Sequence, residues 1–92
     1  MATYTWLNKQ GIRSSDGLEV QFTGRSSLEV RLGRRRKVVE IGDLDHPGSI
    51  QVPSRTFECW DNSTVPNDHA EQERLHRAFE AAMEFMARNQ PP

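Results

Sequence analysis

Phe57-Glu58-Cys59-Trp60-Asp61 is the stretch on which the reading of this chain turns. An apolar run closes on a tryptophan, a polar loop follows from Asp61 to Asn67, and an amphipathic pattern then runs almost to the last residue. The stretch reads as a last strand over Thr56–Trp60, with Phe57 and Cys59 on its buried face, feeding one long helix. In that helix Leu75, Phe79, Ala82, Met83 and Met86 recur at the 3.6-residue period of a single face, with Ala78 and Phe85 at its margin. Glu73, Arg77, Glu80, Glu84 and Arg88 fall opposite. Asp68 and Glu71 have the spacing of a capping box, in which each side chain satisfies a free backbone N–H of the first turn. Pro91-Pro92 prevent extension. A helix over about 68–89 is roughly 30 Å long, enough to cross five or six strands.

Upstream, the period changes from 3.6 to two. Leu18, Val20 and Phe22 alternate with Glu19, Gln21 and Thr23, and Leu28, Val30 and Leu32 alternate with Glu29 and Arg31. Alternation of this kind marks half-buried strands. Residues 3–8 are rich in β-formers and read as a first strand, which Gly11-Ile12-Arg13 either continue or follow as a second. Ser14-Ser15-Asp16-Gly17 is a turn, because Asp-Gly supplies a tight reversal. Gly33-Arg34-Arg35-Arg36 reads as a loop before a strand at Val38, Val39 and Ile41. Asp43–Ser49 reads as loop, and Ile50 with Val52 as a further short strand closed by Pro53. Short strands at close intervals favour antiparallel pairing over parallel crossovers. The expected fold is α+β: an antiparallel meander of five or six short strands within residues 3–60, packed by one C-terminal helix. All 92 residues are expected to form a single domain.

Composition narrows the function classes. A lone cysteine, Cys59, allows no internal disulfide framework. No secretory signal pattern opens the chain, and no apolar run approaches the roughly 18 residues of a membrane span. A reduced, cytoplasmic compartment and no membrane partner are expected. Net charge is −1, but it is unevenly spread. Residues 1–37 hold eight Lys/Arg against three acids, whereas residues 38–73 hold one Arg against eight acids. Such segregation gives two faces of opposite potential unless strand pairing mixes the charges. The pairing of strands 28–32 and 38–42 favours mixing, by bringing Arg31 and Lys37 near Glu29 and Glu40.

No chemistry-bearing constellation stands out. Asp43-x-Asp45-His46 offers metal-ligand atom types but lacks the glycine and distal glutamate of a calcium loop. His69, Glu73 and His76 share a helix face without an HExxH arrangement. The serines sit in turns, no GxSxG elbow is present, and the glycines build no phosphate-cradling loop. Neither an enzymatic activity nor a cofactor is expected. Arg34, Arg35, Arg36 and Lys37 form a basic run at a hairpin tip, the one feature that suits nucleic acid. Against it stand the slightly acidic net charge and the lack of interleaved aromatics for base stacking. Trp6 and Trp60 are read as core residues rather than partner anchors, since aromatics supply much of the burial in so small a chain.

The hairpin around Leu28-Glu29-Val30 and Val38-Val39-Glu40-Ile41, the run Gly48-Ser49-Ile50-Gln51-Val52, the strand end at Trp60, the loop with Pro66 and the helix opening Glu71-x-Glu73-Arg74-Leu75 form a pattern. Over about residues 25–89 it resembles small bacterial immunity proteins of polymorphic toxin systems. The chain departs from them in its extra N-terminal strand region and its Arg34–Lys37 run. The resemblance implies a non-enzymatic protein that binds and neutralises a cognate toxin. Glu40, Asp43, Asp45, Glu58 and Asp61 are the expected partner-binding residues, as an acidic surface complements a basic cleft. The alternatives are a nucleic-acid-binding module using Arg34–Lys37 and an orphan homodimer joined along an edge strand, of the kind carried on mobile elements.

Overall fold

A computed structural model describes residues 3–24, 27–40 and 52–89. Among these residues five strands follow one another as an antiparallel sheet in the order β1 (Tyr4–Asn8), β2 (Gly11–Ser14), β3 (Leu18–Phe22), β4 (Ser27–Leu32) and β5 (Arg35–Glu40). One helix, α1 (His69–Arg88), completes the α+β meander. Each strand pairs with its sequence neighbour, as short connections between antiparallel strands dictate.

The turns explain the strand boundaries. Lys9-Gln10 is a two-residue reversal, so Gly11–Ser14 is a separate strand rather than an extension of the first. Gly17 (φ 93°) turns β2 into β3. Gly33 (φ 63°) occupies the first position of a two-residue turn, where a hairpin that matches strand twist wants a left-handed residue. Because two residues suffice, the expected loop over Gly33–Arg36 is shorter than its sequence suggests. Leu32 already pairs with Arg35, and Arg35, Arg36 and Lys37 lie in β5.

One face of the sheet carries Ile12, Leu18, Val20, Leu28, Val30 and Val39, all buried. Against it α1 lays Leu75, Phe79, Ala82, Met83 and Met86, the face that the 3.6-residue period predicts. Tyr4 and Trp6 extend this layer to β1, where Phe85 stacks on Tyr4 at 4.8 Å between ring centres and tilts against Trp6 at 5.8 Å.

The expected strand over Thr56–Trp60 is not formed. Ser54–Phe57 is instead a turn of 3₁₀ helix, followed by bends to Trp60. Pro53 precedes it in extended conformation, and the Glu58 N–H donates back to the Arg55 carbonyl at 3.0 Å. The buried pair is consequently Phe57 and Trp60, three residues apart as on one side of a helical turn, not Phe57 and Cys59. Cys59 is half-buried, its thiol 3.3 Å from the carbonyls of both Trp60 and Ser63. Trp60 is a core residue, 2% exposed. Val52 belongs to no strand, while Ile41, Ile50 and Pro91-Pro92 lie outside the described residues.

The start of α1 uses half of the expected box. Asp68 Oδ1 accepts from the Glu71 N–H at 2.8 Å. The Glu71 carboxylate does not reach back to Asp68 but takes Arg74 one turn on, at 2.7 Å. An i, i+3 ion pair therefore wins over the reciprocal cap. Asp68→Ala is expected to lower folding stability by about 0.5–2 kcal/mol in urea denaturation, whereas Glu71→Gln is expected to change it by less than about 0.5 kcal/mol, since its partner pair is exposed.

Candidate functional site: the β5 edge and the open sheet face

Strand pairing decides where each candidate residue points. In β5 the core-facing positions are Arg35, Lys37 and Val39, opposite Leu32, Val30 and Leu28. Arg36, Val38 and Glu40 face the other way. The basic run is thus split: Arg34 sits in the turn, and Arg35 and Arg36 leave the strand on opposite sides. Lys37, half-buried, pairs with Asp61 at 3.3 Å rather than with Glu40. These four residues do not form one basic patch.

Asp61 and Asn62 close the outer edge of β5. The Asp61 N–H donates to the Arg36 carbonyl at 2.8 Å, and Asp61 Oδ2 accepts from the Val38 N–H at 2.8 Å. Asn62 brackets the same strand: its Oδ1 accepts from the Arg36 N–H at 3.2 Å and its Nδ2 donates to the Arg34 carbonyl at 2.6 Å. Burial pushes the Asp61 carboxyl up. The Val38 N–H, the hydrogen bond and charge of Lys37, and the Arg36 charge together outweigh that, holding it below the usual carboxylate range. Asp61 is thus committed to its own chain. Of the other acidic candidates, Glu40 and Glu58 are exposed, and Asp43 and Asp45 lie outside the described residues.

The segment before this cap is tied to α1. His76 Nε2 lies 2.7 Å from the Val52 carbonyl, and its Nδ1 lies 3.3 Å from Glu80. His69 pairs with Glu73 at 3.0 Å on the exposed side of the same helix. Among the described residues no three His, Cys, Asp or Glu side chains converge as metal ligands. His46 and the Asp43/Asp45 set fall outside them. A cleft of about 460 Å³ opens between the start of α1 and the sheet, lined by Asp16, Leu18, Leu32, Arg74, Leu75 and Ala78. It holds one acid and one base beside four apolar side chains, so its walls are of mixed polarity.

The sheet face away from α1 is covered by no described element. Pairing aligns Arg13, Glu19, Arg31 and Arg36 in one row across β2–β5 and Gln21, Glu29 and Val38 in the next. Arg13 meets Glu19 at 3.2 Å, and Arg31 meets Glu29 at 2.5 Å. Both pairs are local in sequence, within one hairpin or one strand, while pairing also sets Arg31 opposite Arg36; Val38, 45% exposed, adds an apolar element. None of these open-face residues except Glu40 and Arg36 stands out as a candidate in the sequence. The signal for the rest was present in the polar half of each alternating strand. It has no meaning for a surface until strand order and pairing are known. Comparison with family models, curated proteins and solved structures finds no match to this chain.

Proposed function

We propose that this chain is a small non-enzymatic binding protein that engages a partner protein through the open sheet face, as an immunity-type protein does with its toxin. The observation that carries this reading is the one-sided fold. A single helix covers one face of the sheet and, among the described residues, leaves the other as an array of mixed arginine, glutamate and glutamine with Val38 exposed. Patterned charge of both signs selects a complementary surface and penalises a mismatched one, which gives specificity more than raw affinity. Glu40 on this face, with Glu58 exposed beyond the β5 edge, supplies the acidic character that suits a basic cleft. Splitting of the Arg34–Lys37 run weighs against the nucleic-acid alternative.

The test is co-expression with the product of the adjacent gene. A stable complex, and relief of any toxicity of that product, is the expected result. Reversing Arg31 and Glu29 together, R31E with E29R, keeps their mutual pair but inverts the pattern. It is expected to weaken the complex about 10–100-fold, as for displaced interface charges, without altering the melting curve of the free chain. A complex indifferent to this swap, or no complex at all, removes the reading.

A further inference from the structure

We infer that a second copy of this chain adds to the sheet along β1, antiparallel to its own β1 and in a register centred on Thr5. The two edges of the sheet are treated differently. At β5, Asp61 and Asn62 occupy the outward groups of Arg34, Arg36 and Val38. At β1, the Thr3 carbonyl accepts from the Ser15 N–H at 2.7 Å, so Thr3, and by alternation Thr5, point their backbone groups inward to β2. Tyr4 and Trp6 then point theirs outward, and no described residue bonds to them. An edge strand with free backbone groups that is neither charged nor interrupted by proline is a template for another strand, even a short one. Residues 3–8, Thr-Tyr-Thr-Trp-Leu-Asn, contain neither a charge nor a proline.

The outward groups are self-complementary. A twofold axis through Thr5 sets Tyr4 opposite Trp6 of the second copy, and Trp6 opposite its Tyr4. Each of these pairs exchanges two N–H···O=C bonds, four in all. The same operation brings together two sets of half-buried rings, because Tyr4, Trp6 and Phe85 line the helix side of this edge. Aromatic anchors of this kind are enriched where interfaces are strongest. The bulge between Trp6 and Asn8 bends the strand away and limits the pairing to its first residues. A twofold-symmetric dimer is the commonest oligomer, and it needs only one surface that matches itself. This inference is independent of what binds the open sheet face.

Thr5 provides the test, because it is exposed and pairs with Arg13 inside its own chain. In T5E the new carboxylate gains Arg13 as a neighbour within the chain but faces its own copy across the axis. Light scattering on eluted full-length protein is expected to give twice the 10.6 kDa chain mass for the wild type. The dissociation constant of T5E is expected to rise about tenfold or more, as like charges set against each other across an interface cost several kcal/mol. Mixing T5E with T5K is expected to restore the dimer. Independently, T5C in a Cys59→Ser background is expected to cross-link on mild oxidation, since residues facing each other at a non-hydrogen-bonded position stand about 4.5 Å apart at Cα, within reach of a disulfide. A wild-type chain that remains monomeric at millimolar concentration overturns the inference. So does a dimer that neither T5E weakens nor T5C cross-links.

Discussion

Phe79→Ala is expected to remove about 3–5 kcal/mol of folding stability, the range for emptying a buried aromatic site. Phe79 is completely buried at the middle of α1 and packs at 5.6 Å against Phe57, ring centre to ring centre. It is the point at which helix, sheet and 3₁₀ turn meet. A chain of 92 residues has about 5–14 kcal/mol of stability at the usual marginal value per residue. This one change therefore consumes a large part of the margin. Urea denaturation followed by far-ultraviolet circular dichroism provides the measurement. A shift worth less than about 1 kcal/mol would mean that the helix does not pack as described, because only a site that collapses freely escapes the cavity penalty. Phe57→Ala is expected to act similarly but not additively with Phe79→Ala, since the two rings share one contact.

The second large effect is expected at the β5 edge. Asp61→Ala with Asn62→Ala removes three side-chain hydrogen bonds to the strand and the ion pair with Lys37. At about 0.5–1.5 kcal/mol for each bond, discounted because the groups are exposed to water, the loss is about 2 kcal/mol. A second consequence is qualitative. The outward groups of Arg34, Arg36 and Val38 become available to another chain, so aggregation that grows with concentration is expected of the double variant. The contribution of Asp61 also depends on pH, and its sign follows from a carboxyl held low in the folded state. Its stabilisation is complete above the ordinary aspartate value of about 3.9 and is lost as pH falls through the lower folded value. Asp61→Asn is therefore expected to destabilise the protein most at neutral pH and least near pH 2. Urea midpoints at the two pH values check this; equal losses at both would show that the carboxylate charge does not matter to the cap.

These two sites differ in how far they could be read from the chain. Phe79 was legible, because Leu75, Phe79, Met83 and Met86 repeat with helical period and the polar residues fall opposite. Strands β3 and β4 were equally legible, since a period of two needs no knowledge of partners. The 3₁₀ turn has the pattern of a strand in sequence, because Phe57 and Cys59 alternate as readily as Phe57 and Trp60 recur. Over so few residues the two periods are indistinguishable, and Pro53 ends a strand as readily as it opens a turn. The basic run has the composition of a hairpin tip, whereas Gly33 alone supplies the positive φ that the turn requires, and the strand begins at Arg35.

Asp61 and Asn62 show the other limit. Both are ordinary loop residues in the sequence, and their role arises only when a segment more than twenty positions downstream returns to β5. The layers, the apolar helix face and the alternation of β3 and β4 were written in the chain, because local period and turn chemistry dictate them. Which edge is closed, which face is left open and that Lys37 meets Asp61 came from the folded chain alone, because each depends on contacts between residues far apart in sequence.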